Sequence, residues 1–158
     1  MLSDGAFVQR LRDLVGPEHV VAGPLASSYA VDGQVPRAAV FPGAVEEVSG
    51  IMAFASGEGL KVVPRGSGTK MGLGSIPERV DLVLGLARLN GVVDYEPGDM
   101  TATFRAGMPL KEAQVVLGRK GQFIALDPPY ADLATLGGIL ATNSSGRGGS
   151  ATALRGIS

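Results

Sequence analysis

The chain has 158 residues, 45% of them hydrophobic, which is enough apolar material for a packed domain and too much for a disordered one. Lys and Arg number 14 against 15 Asp and Glu, and the net charge of −1 leaves no electrostatic footprint for nucleic acid or an anionic membrane. Cysteine is absent and His19 is the single histidine, which excludes a disulfide framework, iron–sulfur ligands, a thiol nucleophile and a multi-histidine metal site.

The N-terminal stretch "MLSDGAFVQRLRDLV" lacks the cationic start and apolar run of a secretory signal, and no later segment approaches a membrane span. A cytoplasmic location is the expectation. Ser3 and Asp4 can cap a helix whose apolar stripe is Phe7, Leu11, Leu14 and Val15, with Gly16-Pro17 as its stop. "AAVFP" (38–42) reads as a strand, and a helix follows from about Ala44, with Glu46 and Glu47 at its positive end. On that helix Val45, Val48, Ile51, Met52 and Ala55 are expected on one face, with Gly57 and Gly59 ending it. "KVVP" is the next strand, so residues 38–64 form a β-α-β unit and predict a parallel pair with a right-handed crossover.

"VDLVLGL" (80–86) is a third strand, too apolar for a solvent-washed face. The pattern then changes. "GVVDYEPGDMTATFRAG" predicts two antiparallel strands joined at Pro97-Gly98, with Ala102, Phe104 and Ala106 alternating against Thr101, Thr103 and Arg105. Pro109 opens another amphipathic helix with Leu110, Ala113, Val116 and Leu117 on its buried side, and a helical turn is expected around Leu133 to Ala141. The chain thus divides near residue 90.

Glycine is the compositional outlier, with 24 in the chain and its densest clusters at 57–74 and 137–149. In "VVPRGSGTKMGLG" (62–74), Gly66, Ser67 and Gly68 directly follow a strand, where consecutive backbone amides can converge on an anion. The stretch is not a dinucleotide fingerprint, because position 71 is Met, and not a P-loop, because the order is Gly68-Thr69-Lys70. A surface turn and an anion cradle both remain open on this pattern. "ATLGGILATNSSGRGG" (134–149) adds Thr135, Thr142, Asn143, Ser144 and Ser145 among paired glycines, small polar groups suited to a ligand's edge or to a helix cap and loop. His19 reads as a surface or capping residue and Asp127, before Pro128, as a turn former that could also serve as a base. No nucleophile elbow occurs, and no catalytic acid, base or nucleophile stands out.

Read together, the two loops resemble one family. "PRGSGT" (64–69) is similar to the Pro-Arg-Gly-Gly-Gly-Thr loop of flavoproteins with the vanillyl-alcohol-oxidase, or PCMH-type, FAD-binding domain. "ATLGGILATNSSG" (134–146) resembles that family's second signature, Ala-Thr-Ile/Leu-Gly-Gly followed by Asn-x-x-Gly. "AVFPGAVEEVSGIMAFASGEGLKVVPRG" resembles the stretch before the first loop, and "YAVD" (29–32) the usual opening. "GDMTATFRAGMPLKEAQVVLGRKGQFIALDPP" (98–129) is similar to the FAD-binding subunit of bacterial glycolate oxidases.

The resemblance implies a two-lobed α+β fold, with residues 1–90 a small parallel α/β lobe, residues 91–158 the start of an antiparallel α+β lobe, and FAD in the cleft between. It implies that Pro64 and Arg65 lead into a loop whose Gly66, Ser67, Gly68 and Thr69 amides hold the pyrophosphate. Thr135, Gly137, Gly138, Asn143, Ser145 and Gly146 would line the other wall, with Asp127 and Pro128 near the flavin. Relatives that attach FAD covalently carry His where this chain has Thr69, so non-covalent FAD is expected. The implied protein is an FAD-dependent oxidoreductase subunit acting on a 2-hydroxy acid such as glycolate, beside a homologous flavoprotein subunit and an iron–sulfur subunit that could bring it to a membrane. A non-catalytic assembly subunit, or an oxidoreductase for another hydroxy acid such as lactate, are the alternatives. Family members usually continue past "LRGIS" with "YG" and further strands, so the second lobe is expected to be incomplete, inactive alone and prone to self-association through an unpaired edge.

Overall fold

The computed structural model describes residues 2–144 and Gly146. Helix α1 (Asp4–Val15) starts where Ser3 Oγ accepts the Ala6 amide at 3.4 Å, with Asp4 in the first turn. It ends at Gly16, whose φ of +91° needs no Cβ and whose amide returns to the Arg12 carbonyl. Phe7, Leu11 and Val15 are buried, four residues apart on one stripe. The strands β1 (Val20–Ala22) and β2 (Ala38–Val40) follow, then helix α2 (Val45–Gly57) and the strands β3 (Val62–Arg65) and β4 (Leu82–Gly85).

These four strands make one sheet in the order β1-β2-β4-β3. β2 and β3 both run parallel to β4, and β1 pairs antiparallel with β2, Val20 opposite Val40. The sequence predicts β2 and β3 as a neighbouring pair; instead β4 lies between them. The side chains explain the order. Every residue of β4 is buried, as a central strand covered on both faces requires. β3 is only half-buried and carries Pro64, which has no amide to offer a second neighbour and so suits an end strand. β1, a three-residue antiparallel end strand, was not anticipated.

Alternation along β4 divides the core. Leu82 and Leu84 join Phe7, Leu11, Val15, Val40 and Ile51 against the helices, while Val83 joins Val31, Ala39 and Val80 on the opposite face. Helix α2 buries a narrower stripe than its composition suggests: Ile51 and Ala55 are buried, whereas Val45 is 66% and Met52 44% exposed. Positions 48, 51 and 55 keep the three- and four-residue spacing of one face, and Met52 lies one residue step, about 100°, away from Ile51.

Asp81, at the entrance to β4, is the buried acid of this region at 2% exposure. Its Oδ2 accepts the Lys61 amide at 2.7 Å and the Arg79 guanidinium at 3.0 Å, tying the start of β3 to the start of β4. Asp81→Ala leaves those donors without their acceptor and is expected to lower stability by about 1–3 kcal/mol, with Asp81→Asn losing less. Urea unfolding followed by circular dichroism checks the difference.

The chain packs as two compact units, one made of the residues up to Arg65 together with Met71–Arg88, the other of Gly66–Lys70 together with the chain from Leu89. The second unit holds an antiparallel hairpin of β5 (Val92–Glu96) and β6 (Thr101–Phe104), with Tyr95 opposite Ala102. Helix α3 (Leu110–Gly118) follows Pro109, and Thr135 caps the short helix α4 (Leu136–Ala141). Leu110, Ala134 and Ile139 form its core with Ile124, Leu126 and Leu136. The Gln114 side chain holds both the amide (2.9 Å) and the carbonyl (2.6 Å) of Ile124, standing in for a strand partner along that extended stretch.

Candidate functional site

The glycine loop Gly66–Lys70 belongs to the second unit, although β3 and β4 on either side of it belong to the first. Its seat there is specific. A Cβ built on Gly66 would overlap the Thr135 hydroxyl, so the loop backbone lies directly on the residue that opens α4. Gly68 has φ +82°, the left-handed conformation that lets successive amides turn toward a common point. Among the described residues, the amides of Gly66, Ser67, Gly68 and Thr69 find no hydrogen-bond acceptor. Four adjacent amides on a turning backbone, with no acceptor among the described residues, can converge on an anion.

The first turn of α4 is built differently. The Leu136 amide donates to the Met108 carbonyl at 2.9 Å, the Gly137 amide to Ala106 at 2.8 Å, and the Gly138 amide to Thr135 Oγ1 at 3.2 Å. These donors are spent within the protein, so Gly137 and Gly138 shape the loop's support rather than offering it amides. A Cβ on Gly137 would sit 2.8 Å from the Ala106 carbonyl oxygen, and one on Gly138 3.0 Å from Thr135 Oγ1. Thr135 is buried and meets both glycine clusters.

Beyond α4, Thr142 Oγ1 donates to the Gly138 carbonyl at 2.8 Å, lies 2.8 Å from Ser144 Oγ, and receives the Lys70 ammonium at 3.4 Å. Asn143 takes a left-handed φ of +48°. Gly146, at φ +75°, lies so close to the Asp127 carbonyl that no Cβ would fit. The structure therefore brings together Gly66 with Thr135, Lys70 with Thr142, and Asp127 with Gly146. Pro128 is buried while the Asp127 side chain is exposed. Pro64 and Arg65 stand at the end of β3 in the first unit, and Ser145 lies outside the described residues.

Sequence reasoning assigned Lys70 no role; the fold brings its ammonium to the Thr142 hydroxyl of the second loop, a contact that the sequence does not signal. His19 is partly exposed beside Glu18, 3.3 Å away. Among the described residues there is no group of three or more His, Cys, Asp or Glu that could hold a metal ion. The arrangement can hold an anionic ligand by backbone donors.

Residues 36–155 match the family described as "FAD binding domain". The chain belongs to that family. As an FAD-binding domain, its cofactor is FAD, and the amides of the Gly66 loop, which have no acceptor among the described residues, suit the dinucleotide's diphosphate in donor chemistry. It is 35% identical over 111 residues to D-2-hydroxyglutarate dehydrogenase of Xanthomonas citri pv. viticola, covering 70% of this chain and 24% of that protein. It is 31% identical over 144 residues to glycolate oxidase subunit GlcD of Bacillus subtilis, covering 87% of this chain and 31% of that one. Among solved structures, alkyldihydroxyacetonephosphate synthase superimposes with a TM-score of 0.77 at 27% identity, over 90% of this chain and 30% of that one. This FAD-binding domain thus spans about a quarter to a third of the length of the curated relatives it matches. Its fold is the α+β arrangement of vanillyl-alcohol-oxidase-type flavoproteins, a mostly parallel sheet followed by an antiparallel one. Among the described residues no helix is long and apolar enough to cross a membrane.

Proposed function

We propose that this chain is the FAD-binding region of a flavin-dependent oxidoreductase that oxidises a 2-hydroxy acid, glycolate being the leading candidate. The observation that carries the reading is the run of four amides, Gly66 to Thr69, with no acceptor among the described residues, in a loop whose Gly66 rests on Thr135 and whose Lys70 ammonium reaches Thr142. The two relatives, one named for glycolate and the other for 2-hydroxyglutarate, share a hydroxyl on the carbon next to a carboxylate, which favours that substrate class. Bound FAD would supply the hydride acceptor; the protein's part is to bind, orient and support it. In this reading Pro64 and Arg65 lead into the cradle, and Gly66, Ser67, Gly68 and Thr69 donate to the diphosphate. Thr135, Gly137, Gly138, Asn143, Ser145 and Gly146 line the other wall of the FAD site, with Asp127 and Pro128 near the flavin. Thr69 offers no histidine for attachment, so the flavin is held non-covalently. The lobes are residues 1–90 and 91–158, and the partners are a homologous flavoprotein subunit and an iron–sulfur subunit in the cytoplasm.

Titration of FAD into the protein, followed by flavin fluorescence, is expected to show saturable binding, with all flavin released on denaturation. No binding by the protein would remove the reading. A second reading is a non-catalytic assembly subunit, motivated by an amino-acid sequence in which no catalytic acid, base or nucleophile stands out. Gly68→Trp in the reconstituted oxidase separates the two. Lost flavin and activity support the cofactor role, whereas an unchanged complex supports assembly, because an indole at a position with φ +82° obstructs the cradle.

A further inference from the structure

The glycine loop is held at both of its ends, and both holds meet on one residue of the second unit. At the near end Gly66 lies against the Thr135 hydroxyl, which accepts the Gly138 amide at 3.2 Å. At the far end the Lys70 ammonium donates to the Thr142 hydroxyl at 3.4 Å. That hydroxyl gives its proton to the Gly138 carbonyl at 2.8 Å, so toward Lys70 and Ser144 Oγ it can only accept. Gly138 thus ties Thr135 through its amide and Thr142 through its carbonyl. The contacts close a ring of Gly66, Thr135, Gly138, Thr142 and Lys70, every member of it in one compact unit.

The spacing of the two holds limits what the loop can do. Thr135 and Thr142 flank α4, and helical rise sets them about 10 Å apart. Between Gly66 and Lys70 lie only Ser67, Gly68 and Thr69. Pinned at both ends over that span, so short a segment has few alternative paths. Released at one end it has many, because Gly66 and Gly68 are the residue type with the most conformational freedom to lose. Among the described residues Lys70 is engaged by no ion pair, so its ammonium is available to the hydroxyl.

We propose that Lys70 is a positioning residue: it latches the far end of the glycine loop to Thr142, so that the amides of Gly66, Ser67, Gly68 and Thr69 hold one conformation before an anion arrives. A loop ordered in advance has less freedom to lose on binding, and its affinity for the anion is higher by that difference. The inference rests on the FAD reading above for the identity of the anion.

The first test needs no ligand. Backbone amide relaxation, measured by NMR on the free protein, compares wild type with Lys70→Met, which removes the donor, and Thr142→Val, which removes the acceptor. Order parameters at residues 66–69 are expected at about 0.85 in wild type and to fall toward roughly 0.6 in both variants. Lys70→Arg restores a donor and is expected to stay close to wild type. The same proteins are then titrated with FAD by flavin fluorescence. Lys70→Met and Thr142→Val are expected to weaken binding by similar factors, roughly two- to twelvefold for one hydrogen bond, and the double variant no more than either alone. Wild-type order parameters in Lys70→Met overturn the inference even where its FAD affinity falls, because the ammonium then acts on the ligand directly. Additive losses in the double variant overturn it too. If Thr142→Val does not fold, the order parameters of Lys70→Met decide alone. Wild-type protein that binds no FAD removes the functional reading; the latch is then judged by the order parameters, which require no flavin.

Discussion

Gly66→Val is expected to weaken FAD binding by roughly five- to 150-fold, because overpacking of about 1–3 kcal/mol falls on the conformation that receives the ligand. Any side chain at position 66 meets the Thr135 hydroxyl, and Thr135 has little room to retreat: it is 5% exposed and caps α4 through the Gly138 amide. Either the loop lifts from its seat and its amides lose their common aim, or Thr135 turns away and α4 loses its cap. A paired variant separates these routes. Gly66→Ala/Thr135→Ala removes the colliding oxygen and is expected to bind FAD better than Gly66→Ala alone, while losing about 1 kcal/mol of cap stability. Flavin fluorescence titration and thermal unfolding measure the two quantities. Gly66→Val with wild-type affinity would show that the seat on Thr135 does not shape the cradle.

Leu82→Ala carries the largest expected cost in stability, about 2–5 kcal/mol, a large share of the roughly 5–15 kcal/mol that a domain has. Leu82 is fully buried in the central strand, facing Phe7, Leu11, Val15, Val40 and Ile51. Truncation leaves a cavity among residues from both helices and two strands, and a packed core closes such a void only in part. Denaturant unfolding should show the midpoint fall with the slope preserved. A loss below about 1 kcal/mol would mean that the helices settle onto the sheet far more freely than this packing implies.

Local signals were legible in the sequence and long-range ones were not. Ser3, the Phe7-Leu11-Val15 stripe and Gly16 defined α1 because cap, face and stop all lie within one short stretch. The hairpin of β5 and β6 was legible because its partners are adjacent in the chain. By contrast, nothing in residues 38–64 reveals that β4 enters between β2 and β3; that order depends on burial of "LVLG" and on the missing amide of Pro64. The glycine loops announced themselves by composition and by family resemblance. That Gly66 rests on Thr135, that the α4 amides are already satisfied, and that Tyr29 faces Arg65 are outcomes of tertiary packing.

The contact between Lys70 and Thr142 joins residues 72 positions apart, and the neighbouring seat of Gly66 on Thr135 spans nearly the whole of the intervening chain. Closing so large a loop costs entropy before any contact rewards it, so such pairings form after the local helices and the hairpin. The cradle is then among the last parts of the molecule to assemble as the chain folds. Contacts that form that late govern how fast the native state is lost more than how fast it is reached. On the proposed reading, cofactor bound there would work chiefly as a brake on unfolding and tie the lifetime of the folded protein to its supply of flavin.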